Sequence, residues 1–176
     1  MKAQHRYDYW LKEETDIKDH LPRLFEAASG NVLELGVRSG VSTAALLAGI
    51  EARGGHLWSV DRDGGCEAAF NGHPNWTFIQ ADSLDSARIK AAGVKEPLDV
   101  LFIDTNHELH HTLLELNTWG PLVKVGGQIL LHDAITFPGV REAMEIFCGE
   151  FGLPFEVIPG SNGLGIITMK KEIRHE

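Results

Sequence analysis

Cysteine is scarce in this chain: Cys66 and Cys148 are the two among 176 residues. They fall on what read as separate helices and lack metal-type spacing. That argues against a disulfide scaffold and suits reduced core thiols in a cytoplasmic protein. Long apolar runs are missing as well. Ala44–Ile50 spans seven residues, far below the roughly 20 that a membrane-crossing helix needs. The opening stretch Met1–Tyr7 has no apolar segment behind its charges, so no signal peptide is expected. Positive charge is in deficit, 16 Lys and Arg against 25 Asp and Glu, for a formal net charge of −9. Such a chain lacks the basic face that a nucleic-acid backbone requires. What is left is one domain over residues 1–176, large enough to bury a two-sided core. Residues 1–15 read as a partly ordered N-terminal arm and 16–170 as the core. A small molecule is the default ligand, with no nucleic acid and no membrane as partner; a homodimer is compatible with this size.

The most informative stretch is Asn31-Val-Leu-Glu-Leu-Gly-Val-Arg-Ser-Gly-Val-Ser-Thr43. An apolar strand carrying Glu34 turns through Gly36 and Gly40 and opens into a helix over Val41–Ala52. Asp61 follows Gly40 by 21 residues and closes a second strand, His56–Val60. Glycines let a backbone approach a ligand where a Cβ would clash. An acid ending the next strand can accept hydrogen bonds from two ribose hydroxyls. The dinucleotide fingerprint G-x-G-x-x-G would need a glycine where Arg38 stands. The spacing E-x-G-x-x-x-G instead resembles motif I of the class I S-adenosylmethionine-dependent methyltransferases, whose acid and glycine loop hold the methionine end of the cofactor. That resemblance implies cofactor contacts from Glu34, Gly36, Gly40, Ser42 and Asp61. The plainer alternative is a glycine-rich turn that only packs a helix on a sheet, and Asp61 in series argues against it.

The rest of the chain alternates strand and helix. Ile17, Leu21, Leu24, Phe25 and Ala28 recur at helical spacing and predict a helix from Asp16 to Ala28. A short helix over Gly65–Phe70 leads to a strand over Trp76–Ala81, and Ser83 is placed to cap the helix running to Ala92. Leu98–Ile103 reads as a buried parallel strand. Leu109, Leu113 and Leu116 mark a helix that stops before Gly120-Pro121. Gly126-Gly127 launches a strand over Gln128–Leu131. Val140, Ala143, Met144, Phe147 and Phe151 lie on one helix face, and Phe155–Ile158 and Leu164–Met169 form a terminal hairpin. Five βα units and a hairpin predict an α/β fold of three layers. Its sheet has seven strands, mostly parallel with the last antiparallel, in the Rossmann-like pattern that resembles class I methyltransferases.

On this reading Glu34, Asp61, Asp82, Asp104 and Asp133 all sit at the carboxyl ends of strands, where open α/β sheets bind ligands. Any one of them could be a helix cap or turn residue; five in a row favour a site. Leu98-Asp-Val-Leu-Phe-Ile-Asp-Thr-Asn-His107 and Gly126-Gly-Gln-Ile-Leu-Leu-His-Asp-Ala134 look like the small-molecule O-methyltransferase branch that includes catechol O-methyltransferase and the cephalosporin-hydroxylase-like proteins. The resemblance implies S-adenosylmethionine as cofactor, with Asp82, Ser83 and Asp104 among its contacts. It places Asp104, His132 and Asp133 around a divalent cation such as Mg²⁺, and His107, next to Asp104, as general base. A cation lowers the pKa of an acceptor hydroxyl, and a neutral imidazole suits proton removal near neutral pH. Asn106 and Ala134 depart from the branch's pattern, which leaves open a cofactor-binding protein with altered chemistry. Arg38 and the terminal hairpin count against an NAD-dependent oxidoreductase. His110 and His111 read as part of a solvated helix start.

Overall fold

The computed structural model describes residues 2–173. Its strands are β1 (Gly30–Leu35), β2 (Gly55–Asp61), β3 (Trp76–Gln80), β4 (Leu98–Ile103), β5 (Val123–His132), β6 (Phe155–Ile158) and β7 (Leu164–Thr168). They form a seven-stranded sheet in the order 3-2-1-4-5-7-6. β1 to β5 are parallel, and β7 lies antiparallel between β5 and β6. The helices are α1 (Ala3–Trp10), α2 (Leu21–Ala27), α3 (Val41–Arg53), α4 (Ser86–Ala91), α5 (Leu109–Trp119) and α6 (Pro138–Phe151). The expected three-layer α/β architecture with an antiparallel last strand is the one observed. No helix among the described residues is long and apolar enough to cross a membrane.

Successive side chains of a strand point to opposite faces, and this divides the core in two. Val32, Leu57, Val100, Phe102 and Leu130 pack with α1, α2 and α3. Leu33, Leu35, Leu101, Ile103, Ile129 and Leu131 pack with α5 and α6 through Leu116, Trp119, Met144 and Phe147. By the same alternation Glu34 shares the face of Val32, beneath α3. Strands covered on both sides read as continuous apolar runs, and for that reason β4 is legible as buried.

Four local expectations change. The N-terminal stretch is not an arm along its whole length: α1 lies against α3, with Ala3 fully buried and Tyr7 nearly so. Its first turn has the Ala3 and Gln4 N–H groups on the Glu51 carboxylate, both at 3.3 Å. The helix expected over Asp16–Ala28 is a short 3₁₀ turn, Lys18–His20, followed by α2. Pro22 explains the break, since its missing N–H is tolerated only in a helix's first turn. Asp85, not Ser83, caps α4, accepting from the Arg88 N–H at 3.1 Å. β5 begins at Val123 rather than Gln128, running through a register irregularity against β4 between Leu98 and Val100.

Strand order reverses between β1 and β4, the two central neighbours reached by crossovers in opposite directions. Loops leaving such a pair diverge to opposite faces and open a crevice at the carboxyl edge. Here Gly36 follows β1 and Asp104 follows β4. Their backbones touch so closely that a Cβ on Gly36 would lie 1.9 Å from the Asp104 carbonyl oxygen. The Asp104 N–H donates to the Leu35 carbonyl at 2.8 Å.

Candidate active site

Two hollows open on either side of Gly36 and Asp104. The first, of about 260 Å³, is lined by Gly36, Asp61, Ser83, Asp104, Thr105 and His111, among others. The second, of about 340 Å³, lies between the glycine loop and the segment joining α1 to α2. Gly36 (φ +92°) and Gly40 (φ +76°) both take the left-handed conformation that favours glycine, which lets the loop turn sharply into α3.

Asp61 stands at the edge of the first hollow. One carboxylate oxygen accepts the Val37 and Arg38 N–H groups at 2.8 and 3.1 Å, and the other accepts the Asp63 N–H at 2.9 Å. Burial works to raise its pKa, but these N–H donors outweigh it and hold the carboxyl below its ordinary value. The acid thus shapes the glycine loop, and the Cys66 thiol also donates to it.

Glu34 does not reach either hollow, contrary to the expectation from its motif. It is fully buried under α3 and accepts the hydroxyls of Ser42 (2.7 Å), Thr43 (2.8 Å) and Ser59 (2.5 Å). Burial raises its pKa to about 7 against those hydrogen bonds. Ser42 borders the second hollow, but its hydroxyl is directed to Glu34. Asp82 is likewise turned aside, bonded to Arg62 and to the Leu84 N–H, while its neighbours Ala81 and Ser83 line the first hollow. Ser83 is fixed from behind, its carbonyl accepting the Trp119 indole N–H at 2.8 Å.

Beyond Asp104 the chain brings together the residues expected to do chemistry. Ligating atoms of Asp104, His107 and Asp133 all lie within 4.8 Å of one another. His107 Nε2 is 2.7 Å from Asp133 Oδ2 and 4.0 Å from Asp104 Oδ1. Both carboxylates, Asp104 foremost, raise the His107 pKa, although only Asp133 is within hydrogen-bonding distance. A carboxylate only accepts, so Nε2 carries the proton of this bond and the neutral ring keeps its lone pair on Nδ1. The Phe137 ring lies 4.0 Å from the imidazole, centroid to centroid.

His132 joins the same group from β5. Its Nε2–H faces the carbonyls of Asp16 (3.0 Å) and Ser161 (2.8 Å), and its Nδ1 lies 3.4 Å from Asp104 and 3.3 Å from Asp133. Burial opposes its charge, yet the two carboxylates lift its pKa to about 10. In return, though burial opposes ionisation, the imidazoles of His107 and His132 bring Asp104 down to about 2. Asp133 sits in the left-handed region at φ +67°. Its Oδ1 is buried with no hydrogen-bond partner among the described residues. An unpartnered buried carboxylate oxygen is costly, and a hard cation takes oxygen ligands of this kind. The donor set therefore fits a divalent metal.

Some residues here escaped the sequence reading. His111 lines the first hollow instead of facing water, with Nε2 3.2 Å from Glu115 and 3.3 Å from Ser83 Oγ. Glu115 is fully buried and also accepts the Thr105 hydroxyl at 2.8 Å. The i, i+4 spacing of His111 and Glu115 was the available signal. Arg38, at φ +47°, reaches Asp16 at 2.9 Å and borders both hollows.

The profile of a methyltransferase-domain family matches residues 33–134 of the chain, more than half its length. The chain belongs to that family. The matched segment of this methyltransferase domain runs from β1 through Asp133, so it includes the glycine loop, Asp61, Asp104 and His107. Solved structures support the fold. A Corynebacterium glutamicum protein is 16% identical, covered 92% by a match that takes in 98% of this chain, at a TM-score of 0.74. The O-methyltransferase NovP is 16% identical over 88% of this chain and 81% of its own, with a TM-score of 0.68. MycE methyltransferase of the mycinamycin biosynthetic pathway, solved with Mg and S-adenosylhomocysteine, is 16% identical at a TM-score of 0.64; the match covers 97% of this chain and 55% of MycE.

Proposed function

We propose that this methyltransferase domain transfers a methyl group from S-adenosylmethionine to a hydroxyl oxygen of a small molecule. The observation that carries this reading is the meeting of Asp104, Asp133 and His107 within 4.8 Å, directly beside the hollow that Asp61 borders. Asp61, which borders this hollow, would take the ribose hydroxyls, while Gly36 lets the backbone lie against the ligand. The bound sulfonium supplies an already activated methyl group. What the protein must do is align an oxygen with it and remove that oxygen's proton. His107 Nδ1 is the proton acceptor in this reading, with Asp133 holding the tautomer and stabilising the imidazolium that forms. Ile135 and Phe137, both exposed beside the cluster, offer the acceptor an apolar edge.

Asp104 and Asp133 would hold Mg²⁺ or a similar cation, with His132 Nδ1 able to join only when it is unprotonated. Such an ion would lower the pKa of the acceptor hydroxyl and fix its position. The Mg in MycE and the unpartnered Asp133 Oδ1 both support this part. The deciding experiment supplies S-adenosylmethionine with an isotope-labelled methyl group to a panel of small hydroxylated acceptors, with Mg²⁺ or with EDTA. Label appearing on an acceptor oxygen supports the reading. Tight S-adenosylhomocysteine binding with no transfer to any acceptor would favour a cofactor-binding protein with altered chemistry. No binding at all would overturn both.

A further inference from the structure

The turn joining β6 to β7 faces the segment that follows β5. Gly160 (φ +97°), Ser161 (+34°), Asn162 (+67°) and Gly163 (+88°) take positive φ in succession, and the Gly163 N–H closes the turn on the Gly160 carbonyl at 2.6 Å. Residues with a side chain avoid that region, yet two of the four carry one. The turn presents three successive carbonyl oxygens to its neighbour. Ser161 accepts from His132 Nε2–H at 2.8 Å, Asn162 from the Ile135 and Thr136 N–H groups at 2.9 and 3.2 Å, and Gly163 from the Ala134 N–H at 3.2 Å. The Thr136 hydroxyl adds a bond to Asn162 Oδ1 at 3.0 Å.

Every residue from His132 to Thr136 except Asp133 therefore donates to the turn. Asp133 is bracketed by these bonds, and none of them engages its carboxylate. Its Oδ2 is left for His107 at 2.7 Å, and its Oδ1 has no partner among the described residues. Asp133 itself stands at φ +67°, a backbone state that persists only where its surroundings enforce it. The turn is in turn seated from behind. The Asp19 N–H donates to Ser161 Oγ at 3.0 Å, and the buried His20 has Nε2 2.7 Å from the Gly160 carbonyl oxygen. A Cβ on Gly163 would lie 2.5 Å from Ile135 Cγ1, so the two segments are in close contact.

We propose that the β6–β7 turn is the positioning element of the carboxylate–histidine centre, with Asn162 holding Asp133 in place for His107 and a cation through its carbonyl and its side-chain oxygen. Asn162 lies outside the segment 33–134 that marks the family. The role rests on the reading of Asp104, Asp133 and His107 as the reacting centre, and its first readout needs neither cation nor turnover.

Proton NMR of the full chain with ¹⁵N-labelled histidine detects the His107 Nε2–H while Asp133 holds it, and loses it to exchange with water when that bond opens. Mn²⁺ titration followed by electron paramagnetic resonance reads the carboxylate pair. Asn162→Val puts a β-branched side chain at φ +67°, which such residues disfavour, so the carbonyls of the turn must move. It should lose the Nε2–H signal and bind Mn²⁺ roughly ten- to a hundredfold more weakly, the scale on which groups behind metal ligands act, with S-adenosylhomocysteine affinity close to wild type. Asn162→Gly keeps the backbone state open and removes the side chain, and Thr136→Val removes the hydroxyl on the other side of the same bond. Each should fall between wild type and Asn162→Val, and the double variant should be no worse than either. A wild-type signal and Mn²⁺ affinity in Asn162→Val overturn the inference. An equal loss of Mn²⁺ and S-adenosylhomocysteine binding does so too, since the turn would then only hold the fold. If Asn162→Val does not fold, Asn162→Gly and Thr136→Val decide, and wild-type behaviour in both sinks the role. Should wild-type protein bind no Mn²⁺, the cation falls from the proposed function while the NMR comparison still decides whether the turn positions Asp133.

Discussion

Glu34 and Asp61 are carboxylates on the neighbouring strands β1 and β2, and their surroundings give them different tasks. Glu34, with no exposure, holds β1, β2 and α3 together through three hydroxyls. Its folded-state pKa of about 7 lies above the ordinary 4.5. Between those values the folded protein keeps a proton that the unfolded chain has released. Its contribution is therefore full below about pH 4.5, declines as pH rises toward 7, and is flat beyond. Urea midpoints measured across that window should show the decline in wild type and a shallower slope in Glu34→Gln; matching slopes would contradict the assignment. Asp61 is the opposite case, an acid kept ionised by N–H donors at the mouth of a cavity. Asp61→Ala removes the anchor of the glycine loop and the proposed acceptor for ribose together. S-adenosylhomocysteine affinity should fall about ten- to a hundredfold by calorimetry, and an unchanged value would remove Asp61 from the cofactor site.

Elements rather than residues decide the width of the crevice. β1 and β4 are pressed together at their ends by the contact between Gly36 and the Asp104 carbonyl, where a Cβ would sit 1.9 Å away at φ +92°. Gly36→Ala meets both a steric clash and a disfavoured backbone. It should destabilise the fold by more than about 1 kcal/mol in urea unfolding and abolish ligand-induced stabilisation by spreading the strand ends. A neutral result on both would mean the loop is looser than the close contact implies. α4 offers a control away from the site. Asp85 caps it at 3.1 Å, so Asp85→Ala should cost about 1 kcal/mol with S-adenosylhomocysteine affinity intact, which circular dichroism melts and calorimetry would show together.

At the scale of the whole molecule, the sheet delivers residues from β1, β2, β4 and β5 to one edge, and ligand binding there should couple to global stability. A ligand that binds only the folded state raises stability by mass action, about 2.7 kcal/mol at a hundredfold excess over Kd. S-adenosylhomocysteine should therefore raise the melting temperature, NAD should leave it unmoved, and EDTA should not reverse the shift, because the proposed nucleoside contacts come from Asp61 and the glycine-loop backbone and not from the Asp104 and Asp133 carboxylates. A shift with NAD alone would reassign the cofactor.

Strand and helix type were legible in the chain because the signals are local. Alternation of apolar runs with glycine turns marked β1, β2 and β4, and Asp61, Asp104 and Asp133 were placed at strand ends by counting residues. The terminal hairpin was readable from Pro159–Gly163 for the same reason. Motif spacing also put His107 beside Asp104, and the structure has the two side chains 4.0 Å apart. Three things waited for the tertiary structure. The facing of Glu34 depends on which strand face α3 covers, a packing decision that no motif carries. His111 enters the first hollow because α5 docks with Glu115 buried beneath it. Trp10 and Thr15 border the second hollow because α1 packs on α3 and brings distant residues to the glycine loop. Local sequence determines which element forms and where it ends. Which polar atoms share a cavity depends on contacts between residues far apart in the chain, and those exist only once the layers have packed.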